Sequence, residues 1–204
     1  LGDLVETIFC RVTMGYWMSR SSLVYGPFSV VWGFAVVLLT MMLHRHKDKS
    51  DRYIFIFGTV VGGAYEYICS VLSEIVFGAV FWDYSKLPFN LGGRINLLYC
   101  FFWGFASVIW IRYVYPFFSR LIEKIPKKPG IWISWILIVF MVFDMLISAM
   151  ALMRYSSRYI GEEPQTVVGE MLDEHFPDER MERVYPKAII RAVSGNSVPP
   201  QSAE

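Results

Sequence analysis

Long apolar segments separated by short charged ones make up most of this chain. Four of them, each at least 18 residues long, lie at 26–43, 53–78, 95–118 and 131–153. About 20 apolar residues in a helix cross the hydrocarbon core of a bilayer, so each segment is suited to span it. A further apolar run, 1–14, is too short to span alone, and we expect it to be half of another span. The pattern predicts an all-α, polytopic membrane helix bundle of about five spans.

One phrase near the start of the chain is repeated later. Gly2-x-x-x-Glu6, followed by Trp32-Gly33-Phe34-Ala35, returns as Gly62-x-x-x-Glu66, followed by Trp103-Gly104-Phe105-Ala106. Self-similarity of this kind indicates internal repeats. We therefore predict a duplicated two-helix unit.

A polar, acidic tail follows the apolar segments. Pro164 and Pro177 stand where short amphipathic helices could begin. The predicted parts are a transmembrane domain 1–153 (repeat 1 at about 1–44, repeat 2 at about 53–118, an extra span 131–153), an extramembrane tail 154–193 and a disordered end 194–204.

Lys and Arg are concentrated in the loops at 44–53 and 119–129, and are fewer in the loops on the opposite side. Cytoplasmic loops of membrane proteins carry an excess of these residues. We expect a multi-pass protein of the cell membrane with these basic loops in the cytoplasm. With an odd number of spans, the tail would then lie outside the cytoplasm.

Acidic residues inside apolar segments are candidate functional residues, because a charge in hydrocarbon is unfavourable and marks ion or substrate pathways. The candidates for such a pathway are Glu6, Glu66, Glu74 and Asp144. Arg20 and Arg94 stand near the outer ends of their segments, where they could pair with the acids or anchor headgroup phosphates. For Asp144 the sequence leaves two partners open, Arg112 or a hydroxyl.

Small and polar residues recur at every fourth position of the third segment. The run is Gly58, Gly62, Glu66, Ser70, Glu74 and Gly78. It permits two interpretations: close helix packing at Gly58 and Gly62 with hydrogen-bonded acids, or a polar path at the repeat interface. In the second interpretation, Glu6 and Glu66 would take pseudo-symmetric positions and share a proton or a cation.

Composition narrows the class of protein further. Hydrophobic residues make up 55% of the chain, and its net charge of +1 does not favour a nucleic-acid partner. Cys10, Cys69 and Cys100 lie in apolar segments and are odd in number, which favours free thiols. We find no Walker A loop, and His44 and His46 in a basic loop do not form a metal-ligand pattern. We therefore expect no enzyme activity, no cofactor and no metal, and an ATP-driven role would need a separate ATPase.

Several motifs together resemble a known family. The most specific is the loop motif Trp82-Asp83-Tyr84-Ser85 with Pro88, Asn90 and Gly93-Arg94-Ile95. The others are Gly2-x-x-x-Glu6, Arg20 through Tyr25-Gly26-Pro27-Phe28, and Phe176-Pro177 with Met181 and Tyr185-Pro186. They resemble the bacterial ABC-transporter permeases of type IV, the CmpB-like family. The chain departs from that family after Gly26-Pro27, where it reads Phe28-Ser29-Val30-Val31-Trp32-Gly33 instead of Cys-Pro-Ile-Tyr-Gly.

The resemblance implies a permease component of an ABC-type transporter in the lipid bilayer. The partners it suggests are a cytoplasmic ATPase subunit and, as a homo-oligomer, a second copy of the chain. The alternative is a membrane scaffold or sensor that binds a partner through its tail. The acidic composition of the tail favours this second function.

Overall fold

The computed structural model describes residues 2–191, and these are mostly helical. The helices are α1 (Gly2–Met14), α2 (Val30–Leu43), α3 (Asp51–Phe77), α4 (Leu97–Ile109), α5 (Tyr115–Ile122), α6 (Lys127–Tyr159), α7 (Val167–His175) and α8 (Asp178–Val184). Two short antiparallel pairs join β1 (Ala79–Val80) to β4 (Ile189–Ile190) and β2 (Asn90–Leu91) to β3 (Ile95–Asn96). The sequence did not predict these strands. The predicted disordered end, 194–204, lies outside the described residues.

Three helical stretches among the described residues are long and apolar enough to cross a membrane: Asp51–Phe77, Leu97–Ile122 and Lys127–Tyr159. A shorter apolar helix covers Val30–His46. α1 has 13 residues, about 20 Å of helix, which is less than the thickness of the hydrocarbon core. The predicted helical architecture with helices of spanning length is confirmed, while the five spans and the duplicated unit remain predictions.

Pro116 lies inside the apolar stretch Leu97–Ile122, yet the helix continues past it to Ile122. A π-helical turn, Trp110–Val114, joins α4 to α5, and Pro116 follows it in the first turn of α5. Proline lacks an N–H and its ring clashes with the preceding turn of an α-helix. The wider π turn accommodates the ring, so the helix continues instead of ending.

The chain divides into two compact units. Among the described residues, the first contains 2–32, 70–82 and 142–191, and the second contains Gly33–Cys69 and Asp83–Met141. Both units combine segments that are distant in sequence. The predicted division of the chain at residue 153 stays a prediction.

The first unit has a hydrophobic core of its own. Phe176 and Met181 of the tail are buried against Leu152 and Tyr155 of α6. Other buried members are Val24, Ala79, Ala151, Tyr185, Ala188 and Ile190. The tail therefore folds onto the last turns of α6.

Ion pairs fasten this tail to α6. The guanidinium of Arg154 binds both carboxylate oxygens of Asp173, at 2.8 to 3.1 Å. Arg158 also binds Asp173, and its Nε donates to Asp178 Oδ1 at 2.7 Å. Because Arg154 and Arg158 find partners in the tail, α6 continues past the end of its apolar segment to Tyr159.

The second unit is organised around a close approach of α3 and α4. A methyl group at Gly58 would overlap Ser107, and one at Gly62 would overlap the side chain of Trp103. On the facing helix, a methyl group at Gly104 would overlap Thr59. Small residues on both helices thus allow the backbones to approach, as expected for helices packed in lipid.

Candidate functional site

Glu66 of α3 is a buried acid with polar partners from two other segments. The residue is 7% exposed. The phenol of Tyr84 donates to Glu66 Oε1, and the indole Nε1–H of Trp103 donates to Glu66 Oε2, each at 2.8 Å. Hydrogen bonds to both oxygens stabilise a carboxyl group that has been removed from water.

The glycine one helical turn before Glu66 positions this group. Gly62 leaves space for Trp103 against α3, so the indole edge meets the carboxyl group on the next turn. Glu66 lies 15 residues after Asp51, the start of α3, or about 22 Å along the helix. Since the hydrocarbon core is about 30 Å thick, Glu66 lies in the part of the span nearer the C-terminal end of α3.

The loop motif holds Tyr84 in place. Asp83 Oδ1 accepts from the backbone N–H of Ser85 at 2.8 Å, and the N–H of Tyr84 donates to the carbonyl of Gly93, also at 2.8 Å. Asn90 accepts from the N–H of Gly93 at 3.0 Å. Gly93 has φ +69°, and a Cβ there would lie 2.6 Å from Asp83 Oδ1, so glycine is required.

The Tyr84 hydroxyl reaches from this loop to Glu66 of α3. The Tyr84 ring stacks on Tyr99 of α4, with centroids 4.6 Å apart. Tyr84 was named as part of a motif, yet nothing in the pattern indicated that its partner would be Glu66.

The other predicted acids belong to the first unit, and each has its own partners. Arg20 Nε lies 3.4 Å from Glu6 Oε2, so the structure brings this acid and this predicted partner together. Glu74 Oε1 lies 3.2 Å from a guanidinium nitrogen of Arg191, which sequence reasoning did not name.

Asp144 is fully buried in the first unit. Its Oδ1 accepts from Ser148 Oγ at 3.2 Å and from the N–H of Tyr25 at 3.3 Å. Of the two partners that the sequence left open, the structure therefore provides the hydroxyl. Asp144 and Ser148 fix the 21–28 segment onto α6 through its backbone, because Ser148 also accepts from the N–H of Val24 at 2.9 Å.

Arg112 and Arg94 both lie in the second unit. Arg112 Nε donates to Asp51 Oδ1 at 2.8 Å, and its other nitrogens donate to the carbonyls of Lys47 and Lys49. It therefore fastens the basic loop between α2 and α3. Arg94 lies in the turn between β2 and β3 and is half-buried.

The repeated phrase makes a similar contact in each of its two occurrences. A methyl group at Gly2 would overlap Trp32, just as one at Gly62 would overlap Trp103. The following glycines differ, because Gly104 is packed against α3 whereas a methyl group added at Gly33 would meet nothing within 4 Å.

Neither a metal site nor a disulfide is found among residues 2–191. No three His, Cys, Asp or Glu side chains in this range are grouped to hold a metal ion. Cys10, Cys69 and Cys100 are free thiols.

The comparisons with known proteins identify the family. Residues 1–149 match the family model described as Putative ABC-transporter type IV. No curated protein matches the chain, and no solved structure does. The match ends before the tail, so the resemblance at Phe176-Pro177 and Tyr185-Pro186 stays a prediction. Because the matched residues cover most of the sequence, the chain belongs to this family of ABC-transporter-related membrane proteins.

Proposed function

We propose that this chain is the permease component of an ABC-type transporter, and that Glu66 is the group met by the substrate or a coupling ion within the membrane. The observation that carries the proposal is the buried Glu66 carboxyl, hydrogen-bonded by Tyr84 and Trp103 at the α3–α4 contact. An acid at this depth can hold a proton or a cation, and it is unfavourable to keep there without a function.

Tyr84 acts as the gate of this site. It belongs to the loop between α3 and α4, whereas Trp103 belongs to α4 itself. A movement of the loop would therefore free Glu66 Oε1 while Trp103 stays in place. The gate opens toward the side on which α3 ends and α4 begins.

In this proposal, Glu6, Glu74 and Asp144 are the further acids of the substrate or ion pathway. The similar contacts of Gly2 with Trp32 and of Gly62 with Trp103 support a duplicated unit. An acid follows each glycine by four residues, so Glu6 and Glu66 take equivalent places in their repeats.

A separate ATPase subunit docks on the basic end of the second unit. The loop at 44–52 is exposed, carries Arg45, Lys47, Lys49 and Arg52, and is fastened by Arg112. Because the loop leads directly into α3, whose first residue is Asp51, a conformational change in a bound subunit could be transmitted through the loop to this helix. The excess of Lys and Arg in the loop favours a cytoplasmic location for it, and in this proposal the tail lies outside the cytoplasm.

The first experiment is purification of the tagged full chain from native membranes, followed by measurement of ATP hydrolysis by the complex. We expect a stoichiometric ATP-hydrolysing subunit. Glu66→Gln should still co-purify with it, because a glutamine can present its oxygen to Trp103 and its amide to the oxygen of Tyr84. The variant cannot ionise, so we expect ATP turnover by the complex to be abolished.

Glu170→Gln, which removes an exposed acid of α7, is the matched control and should keep full turnover. Thermal stability in detergent is measured on both variants to separate folding from function. A stable Glu66→Gln protein with unchanged ATP turnover would show that Glu66 is not the site.

The second candidate function is a membrane scaffold or sensor. It is favoured by the tail, which has a buried core and ion pairs and lies beyond the matched residues 1–149. In the same purification, a stoichiometric partner without ATPase activity that is lost when exposed tail residues are substituted would support this function instead.

A further inference from the structure

The loop between α3 and α4 exposes a cluster of apolar side chains. Phe89 is 81% exposed and Leu91 is 62% exposed, with Leu87 beside them. We refer to residues 85–93 as the Phe89 loop. Three exposed apolar side chains on so short a loop form an apolar patch, which is typical of a surface that contacts lipid or another protein.

The loop is built to hold Phe89 in this position. Phe89 has φ +56° and is the one non-glycine residue with a positive φ between residues 2 and 191. Its carbonyl accepts from the N–H of Leu97 at 3.1 Å, and the side chain of Asn96 donates to the carbonyl of Pro88 at 2.5 Å. The left-handed conformation is unfavourable for phenylalanine, so these contacts maintain an outward side chain against a local preference.

The exposed surface of the loop continues into a helix that is suited to span the membrane. α4 begins at Leu97, directly after β3, and its first turns expose Leu98, Phe102 and Phe105. This helix belongs to the stretch Leu97–Ile122, which is long and apolar enough to cross a bilayer. The start of such a helix lies at the boundary between hydrocarbon and headgroups. The Phe89 loop therefore lies at the same level.

We propose that the Phe89 loop is a membrane anchor whose Phe89, Leu87 and Leu91 side chains insert into the interfacial region of the lipid bilayer. The exposed Lys86 stands beside them and suits anionic headgroups. Aromatic and apolar side chains with a neighbouring lysine are the chemistry that a lipid interface accepts. The anchor does not depend on transport and would serve a scaffold equally.

The anchor also bears on Glu66. Tyr84 is joined to the Phe89 loop through the Gly93 carbonyl, and the Asn90 side chain donates to the carbonyl of Leu87 at 2.6 Å. Because these bonds link Tyr84 to the loop, a change in lipid contact at Phe89 would alter the hydrogen bond from Tyr84 to Glu66.

The test attaches an environment-sensitive fluorophore to Phe89→Cys in the full chain reconstituted into phosphatidylcholine vesicles. Ser85→Cys, an exposed position in the same loop, is the matched control. Wild-type protein treated with the same reagent gives the background of the three native thiols. We expect a blue-shifted emission and strong quenching by shallow nitroxide lipids at position 89, and weak quenching at position 85.

The same measurement is made on Leu91→Cys, a residue of strand β2. This second variant tests the proposal even if Phe89→Cys does not fold. We expect added phosphatidylglycerol to increase quenching at both positions, and Lys86→Ala to remove that increase. Water-like emission at positions 89 and 91, or a cross-link from position 89 to a second protein in place of lipid quenching, would overturn the proposal.

Discussion

The two units of this protein are stabilised in different ways. The first buries large side chains such as Phe176 and Met181 and adds guanidinium–carboxylate pairs. The second brings helices together through Gly58, Gly62 and Gly104, and most of its large apolar residues remain exposed. Water drives apolar side chains into a core, whereas lipid does not distinguish a lipid-facing leucine from a buried one. The core formed by the tail is thus typical of a fold solvated by water, whereas the α3–α4 contact is typical of helices packed in lipid.

The largest expected effect comes from Gly62→Leu in the second unit. The added side chain would occupy the space of Trp103, so α3 and α4 could not close and Glu66 would lose its indole partner. We expect little or no monodisperse protein by size-exclusion chromatography in detergent. Gly33→Leu is the control, because a side chain there meets open space on a helix of the same unit. Equal behaviour of the two variants would remove the evidence for packing through small residues.

A core substitution in the first unit should have the next largest effect on stability. Phe176→Ala removes a ring that is 2% exposed, and we expect it to lower the free energy of unfolding by about 4 kcal/mol. Phe143→Ala, which truncates an exposed phenylalanine of α6, should change it by less than about 1 kcal/mol. Thermal unfolding of both proteins in detergent measures the contrast. If the two substitutions lower the stability equally, the first unit does not have a core stabilised by the hydrophobic effect.

The smallest of these effects concerns the ion pairs of the first unit and depends on pH. Arg154, with Arg158 beside it, holds the pKa of Asp173 below its ordinary value. The stabilisation is therefore complete above the unfolded pKa of about 3.9 and is lost as the pH falls through the lower folded pKa. At pH 7, Asp173→Asn should destabilise the protein by roughly 3 kcal/mol, because two half-buried guanidinium groups lose their partner.

Melting temperatures of wild type and Asp173→Asn, measured between pH 7 and pH 2, test this prediction. The two curves should converge as the medium becomes acidic. A constant difference over that range would mean that Asp173 acts through its shape and not through its charge.

Apolar length predicted the long helices well, because a helix that spans lipid must be apolar for a fixed distance. The predicted segment 53–78 became Asp51–Phe77. The segment 131–153 became Lys127–Tyr159, longer because Arg154 and Arg158 are neutralised by tail residues that are distant in sequence. A hydropathy profile depends on local sequence alone, so it does not detect partners that are distant in the chain.

The contacts of the candidate site could not be predicted from the sequence for a similar reason. Glu66 was identified from its position in an apolar helix, but the reach of Tyr84 depends on loop geometry fixed by Asp83, Asn90 and Gly93. The pairing of β1 with β4 joins residues about 110 positions apart through strands of two residues each, which are too short to carry an alternating pattern.

The bond between Trp103 and Glu66 also gives the protein a native spectroscopic reporter. The indole N–H lies on the carboxyl group, so gain or loss of a proton, or arrival of a cation, changes the hydrogen bond that this N–H donates. Its ¹⁵N resonance can be assigned among the 7 tryptophans by comparison with Trp103→Phe. The occupancy of the site could thus be followed at equilibrium in ¹⁵N-enriched protein, without a transported substrate and without an attached probe.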